Sequence, residues 1–299
     1  MEFGNVEMLR DTLEIFERGT RRLPEGDVPT MLTLGEASEA RVLLPGELSV
    51  LQETRGEAPA APAAGRCDFR CARMDSFAMA RLRAGDMGYA YRPEGFQDIW
   101  VLNFANAVRP GGGVRNGAAA QEEDLCRASS LLWSLEREAA REYYHYNRRI
   151  GSSLGSSAVV LTPKVEIVKY RNGEPLPQST VVSVITCAAP VYQRDTYGLG
   201  EEGYREMFRT RIDRLLLCAA AFGCRHLVLG AFGCGAFGND PEMVAELFRE
   251  SLLALRCDGR GLGDLFREID FAVLDTSRDR RNINAFHNRF TNETFYGEG

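Results

Sequence analysis

The sequence predicts a three-layer α/β/α fold around a mixed central sheet, with an N-terminal helical extension. Three observations carry that reading. Apolar runs of strand length alternate with longer helical patterns, which argues a sheet covered by helices on both faces. Two of those runs end in glycine-rich loops that open onto helices, over 101–128 and 226–248. An Asn-Gly pair, Asn172 and Gly173, stands between two β-rich runs over 158–189 and signals an antiparallel hairpin within the alternation.

Taken in order, residues 5–18 predict a helix: Leu9, Leu13 and Phe16 share one face, Asn5 is placed to cap it and Gly19 to end it. Short strands are expected near 31–34 and 48–52. The segment 54–66 is rich in Pro and Ala and reads as an exposed loop inserted within one unit. On this division residues 1–66 are an N-terminal extension packed on the core, and 67–299 are the core itself. A strand over 68–72 leads to a helix over 76–83 capped by Asp75. The run Ile99–Phe104 reads as a buried strand. Residues 123–146 read as helical, with Leu125, Leu131, Leu132 and Leu135 apolar and Tyr143, Tyr144 and Tyr146 as packing. Beyond the hairpin come a helix over 203–222 and a strand over 226–229. Asp240 and Pro241 then open a helix as N-cap and first residue. A strand over 269–274 and a helix around 278–289 close the chain.

With 299 residues, 44% hydrophobic and 26% charged, the chain is long and apolar enough to bury a sizeable core. Its net charge of −6 argues against nonspecific binding to DNA or RNA, so a polyanionic ligand would have to be held locally, by backbone N–H groups and helix N-termini. Eight cysteines, mostly in apolar context, suit a reduced cytoplasmic protein. Cys67 and Cys71 lack a second pair to complete a zinc site, and neither a metal nor a cofactor is expected. No signal peptide and no transmembrane run is read. His145, His226 and His287 are scattered, and His226 reads as structural. Arg278, Arg280 and Arg281 read as a solvated helix face.

The most informative stretch follows the strand Ile99–Phe104. Asn106 comes first, then the triplet Gly111, Gly112 and Gly113, then seven residues, then Gln121, Glu122 and Glu123 at the start of a helical pattern. A glycine triplet lets the backbone lie flat against a ligand, since no Cβ blocks the approach. Adjacent carboxylates at a loop–helix junction suit sugar hydroxyls or proton transfer, although acidic residues also favour helix N-termini for electrostatic reasons alone. The second loop, over 230–238, lies between a strand and a helix N-terminus, an arrangement that suits an anion site, although many α/β turns are glycine-rich for packing alone. It lacks the Lys of a P-loop, which disfavours triphosphate hydrolysis, and its spacing does not fit a dinucleotide fingerprint.

The GGG-x7-QEE spacing resembles the signature of poly(ADP-ribose) glycohydrolases, in the compact microbial type whose macrodomain carries that loop. The resemblance extends over nearly the whole chain, through Met74-Asp75-Ser76-Phe77-Ala78, LTPKVEIVKY, VVSVITCAAP, HLVLGAFGCGAFGNDPEMVAELF and FAVLD. It implies a macrodomain-like catalytic core. Glu123 matches the family's catalytic acid, and Glu122 the neighbour that bonds ribose hydroxyls. Asn106 matches the residue that holds the terminal ribose, while Gly111, Gly112, Gly113 and Gln121 belong to the substrate loop. Gly233, Cys234, Gly235 and Ala236 match the loop whose amides wrap the diphosphate, and Phe237 an aromatic near the ribose. Asp75 matches the position that meets the adenine amine, where a plain N-cap explains it equally well. Arg109, Phe232 and Val191 depart from the family's usual residues.

The implied reaction hydrolyses ribose–ribose O-glycosidic bonds in poly(ADP-ribose), with ADP-ribose as product and no membrane or DNA partner. Glu123 must then begin neutral, and packing beside Glu122 raises one pKa of the pair. Two other classes stand beside this one: a hydrolase of mono-ADP-ribosylated acceptors, and a reader that binds ADP-ribose without turnover. The intact Gln121-Glu122-Glu123 speaks against the reader.

Overall fold

The computed structural model describes residues 4–47, 67–88, 90–192, 198–257 and 260–291. Two small hairpins stand outside the main sheet: β1 (Thr20–Leu23) with β2 (Gly26–Pro29), and β9 (Arg256–Cys257) with β10 (Arg260–Gly261). The central sheet contains β3 (Arg41–Leu43), β4 (Asp68–Ala72), β5 (Ile99–Phe104), β6 (Val159–Lys169), β7 (Pro175–Cys187), β8 (His226–Leu229) and β11 (Glu268–Ala272). Their spatial order is β3-β6-β7-β5-β8-β11-β4. The pairs from β7 through β4 are parallel, and β3–β6 and β6–β7 are antiparallel, so the sheet is mixed.

Strand alternation separates two cores. Ile99 and Val101 of β5 face α1 (Asn5–Arg18), α2 (Ser76–Asp86), α3 (Gln121–Ala128), α4 (Leu131–Glu136) and α5 (Glu138–Ile150). Trp100 and Leu102 face α6 (Gly200–Ala221), α7 (Pro241–Ala254) and α8 (Arg281–His287). These are the three layers that the sequence predicts. The hairpin of β6 and β7 turns at Gly173, whose φ of +90° suits the Asn-Gly pair.

Several local expectations need correction. Gly4, not Asn5, caps α1, and the Asn5 amide donates instead to the Gly117 carbonyl at 2.8 Å. Residues 31–34 form bends rather than a strand: Leu32 N–H donates to Glu166 Oε2 at 3.0 Å, and Thr33 opens the turn Glu36–Ser38. The segments expected near 48–52 and 54–66 lie outside the described residues. The helical stretch 123–146 is three helices. Ser129 bridges to Ile167, and Ser130 exchanges bonds with Glu166 (backbone N–H to carbonyl 3.1 Å, Oγ from N–H 3.0 Å), so the chain joins β6 at the break. Serine favours such breaks because its hydroxyl competes for backbone groups. β11 stops at Ala272, and Val273 and Leu274 beyond it border a cavity.

Contacts tie residues 4–47 to the main sheet and its helices. β3 is an edge strand of the main sheet, and α1 lies against the turn that follows the glycine triplet. Thr12 Oγ1 donates to the Arg127 carbonyl at 2.5 Å and accepts from Lys169 Nζ at 2.8 Å.

Candidate functional site

β5 and β8 are parallel neighbours, so the two glycine loops leave the same edge of the sheet side by side. That is where open α/β sheets bind ligands. In the first loop Gly111 and Gly112 take φ of +66° and +57°. A Cβ on Gly111 would stand 2.6 Å from Leu132 Cδ1. One on Gly112 would stand 2.4 Å from Glu123 Oε1 and 3.0 Å from Glu122 Oε2. The triplet therefore lets the backbone lie directly on the two carboxyl groups.

Both glutamates sit in the first turn of α3 and are buried, 2% and 7% exposed. Glu123 accepts from Gly113 N–H at 2.8 Å and, reaching back, from Ala120 N–H at 3.1 Å. Glu122 accepts from Asn106 N–H at 2.7 Å and from the Asn103 amide at 3.4 Å. Burial pushes the Glu122 pKa up to about 8; the Asn106 and Asn103 donors pull against this and the Glu123 charge adds to it. Burial thus keeps a proton on the carboxyl pair near neutral pH.

The second loop is pinned from behind. Gly233 has φ +75°, and a Cβ there would meet Ala189 at 2.6 Å and Asn239 Nδ2 at 2.7 Å. The buried Asn239 amide donates to the carbonyls of Pro190 (2.8 Å) and Gly233 (3.1 Å) and accepts from the Tyr204 hydroxyl at 2.6 Å. Gly235 faces open space. Asp240 caps the following α7 through Glu242 N–H at 3.0 Å. Between the loops opens a cavity of about 460 Å³, walled by Asp75, Phe104, Gln121, Gly233, Gly235, Ala236 and Phe237 among others.

Residues 10–170 match the family model described as microbial-type PARG, catalytic domain, PARG being poly(ADP-ribose) glycohydrolase. The chain belongs to the microbial-type PARG family. The crystal structure of the PARG from Thermomonospora curvata is 33% identical, with a TM-score of 0.79, covering 96% of this chain and 99% of that one. The same enzyme bound to the inhibitor ADP-HPD gives 32% identity and a TM-score of 0.78 at the same coverage. The PARG from Deinococcus radiodurans in complex with ADP-ribose is 34% identical, with a TM-score of 0.69, covering 89% of this chain and 97% of that one. No curated protein matches the chain.

In this PARG-family chain the predicted site residues fall into two joined groups. Asp75, Gln121, Gly233, Gly235, Ala236 and Phe237 line the cavity. Asn106, Gly111, Gly112, Gly113, Glu122 and Glu123 form the packed and hydrogen-bonded group beneath the first loop. Gln121 links them as a strut: its Oε1 accepts from Phe104 N–H at 2.9 Å, and its Nε2 donates to Ser76 Oγ (3.1 Å) and the Leu102 carbonyl (2.8 Å). Asp75 both caps α2, through Ala78 N–H at 2.8 Å, and borders the cavity. Asn106 Oδ1 accepts from Val108 and Arg109 N–H, each at 3.0 Å, and shapes the turn into the triplet. The Cys234 Sγ lies 3.7 Å from the Phe232 carbonyl, and burial pushes its thiol pKa well up, which disfavours a nucleophilic role.

Sequence reasoning missed Asn103, a fully buried amide in β5 that contacts Glu122 and, at 3.2 Å, Thr186. Its signal was available: one polar residue inside an otherwise apolar strand. His226, by contrast, pairs with Glu268 at 2.9 Å at the opposite end of the sheet from the loops. Among the described residues no helix is long and apolar enough to cross a membrane, and no group of three or more His, Cys, Asp or Glu is placed to hold a metal.

Proposed function

We propose that the protein hydrolyses ribose–ribose O-glycosidic bonds in poly(ADP-ribose) and releases ADP-ribose. The observation that carries this is the buried Glu122–Glu123 pair locked under the glycine triplet, with one member protonated near neutral pH. Membership of the PARG family and likeness to structures holding ADP-ribose and ADP-HPD support it.

In this reading the amides of Gly233, Cys234, Gly235 and Ala236 hold the diphosphate, and Phe237 packs on the ribose. Asp75 receives the adenine end, and Asn106 with Gly111–Gly113 bounds the terminal ribose. The glycosidic C–O bond breaks as the leaving oxygen takes a proton, giving an oxocarbenium-like centre near the bound diphosphate. Glu123 delivers that proton and then, as carboxylate, removes one from the attacking water. Glu122 orients the ribose hydroxyls. Two close carboxyl groups titrate together, so a single proton serves the pair. Eight free cysteines suit a reducing, cytoplasmic location.

Product analysis tests the substrate. Purified chains should yield ADP-ribose, and mono-modified proteins should be cut far more slowly. Equal or faster release from mono-modified acceptors would replace the polymer by the single modification as substrate.

A further inference from the structure

The cavity wall does not stop at the glycine loops. It continues along α2 and α3 past Phe77, Arg81 and Asp124 to Tyr170 and Arg171, where β6 enters its hairpin. Arg81 lies six residues beyond Asp75, about 9 Å along the helix axis at the usual rise. Its guanidinium sits over the Tyr170 ring, 4.5 Å from the centroid. Its Nε is buried without a hydrogen-bond partner, and among the described residues no carboxylate pairs with it.

The other cations in this wall are engaged. Arg171 Nε meets Asp124 at 2.7 Å. Lys169 Nζ meets Asp11 at 2.7 Å and donates to the Met8 carbonyl at 3.0 Å. In a chain of net charge −6, a guanidinium stacked on a ring in a cavity wall and left without an anion is matched to an anionic ligand. Its in-plane N–H groups suit phosphate oxygens, and the Tyr170 ring with the guanidinium plane suits an aromatic base.

We infer that Arg81 and Tyr170 form a subsite for a second ADP-ribose unit, next to the unit held at the glycine loops. The inference rests on the polymer reading above. In that reading the amide loop already holds the diphosphate of one unit, whereas a chain presents a diphosphate and an adenine at every repeat. The subsite therefore favours chains of two or more units over single ADP-ribose.

The test compares wild type with Arg81→Met, which keeps most of the side-chain stem, and Arg81→Lys, which keeps the charge without the fork. Matched melting curves confirm folding. Steady-state rates on chains of two or more units are read beside calorimetric binding of ADP-ribose. Arg81→Met should raise KM for chains about tenfold, the loss of one charge-assisted bond, with kcat and ADP-ribose affinity within about twofold. Arg81→Lys should recover part of the loss. Parallel losses of ADP-ribose affinity and chain KM would assign Arg81 to the single-unit site, and unchanged values would leave the Arg81–Tyr170 stack as packing; either overturns the inference. If the wild type cuts no chain, the reaction assignment fails by itself. Equilibrium binding of the uncut two-unit chain then decides the subsite: about tenfold tighter than ADP-ribose, and lost in Arg81→Met, supports it, whereas equal affinities overturn it.

Discussion

At the scale of residues, the site depends on two carboxyl groups that differ in their surroundings. Glu123 lies on two backbone N–H groups at a helix start, whereas burial keeps Glu122 protonated up to about pH 8. A carboxyl whose folded pKa lies above its unfolded value of about 4.5 binds more protons in the folded state. Its contribution to stability is complete below pH 4.5 and is lost as pH rises to about 8. Glu122→Gln removes that dependence, so its melting temperature should gain on wild type between pH 5 and 8 and hold level above. Parallel melting curves across that range would show that Glu122 ionises normally. The same proton predicts that kcat/KM declines above about pH 8 in wild type. Gly112→Ala places a Cβ 2.4 Å from Glu123 Oε1 at a left-handed backbone position. Displacing a catalytic carboxyl by about 1 Å should cost on the order of a hundredfold in kcat. Rates alongside calorimetric ADP-ribose binding check this, and full turnover in Gly112→Ala would deny that the triplet shapes the carboxyl pair.

At the scale of elements, the two loops meet because β5 and β8 are adjacent and parallel, a pairing no local pattern encodes. Several strands were legible from their short runs: 68–72, 99–104 and 226–229 appear at their predicted limits. The hairpin over 20–29 was not, because TRRLPEGDVP is charged and carries Pro and Gly, and lateral hydrogen bonds rather than burial hold it. The breaks at Ser129 and Arg137 were hidden for a similar reason. Apolar spacing runs through them, and only pairing with β6 shows why the chain leaves the helix at Ser129. The role of α1 was also out of reach from sequence, since its partners lie more than a hundred residues away. Thr12 joins that helix to Arg127 and to buried Lys169, so Thr12→Val leaves an ammonium short of a partner. Chemical denaturation should show a loss of about 2 kcal/mol. Combined with Lys169→Met the losses should fall short of additivity, because both changes remove one network; strict additivity would separate α1 from it.

At the scale of the whole molecule, three layers place both glycine loops at one edge of a mixed sheet, in a chain whose net charge of −6 leaves anion binding to backbone amides and a few placed cations. The sequence named both loops and the acidic pair. It did not show how deeply the pair is buried or which donors meet it, because burial and donor placement are properties of the folded site. In the proposed reaction Glu123 performs the chemistry in a pocket that binds ADP-ribose independently of it. The most direct measurement is turnover of purified poly(ADP-ribose) by wild type and Glu123→Gln, with ADP-ribose binding to both followed by calorimetry. Wild type should release ADP-ribose, the variant should lose at least about a thousandfold in rate, and both should bind ADP-ribose with similar affinity. Undiminished turnover by a normally folded Glu123→Gln would contradict that role of Glu123.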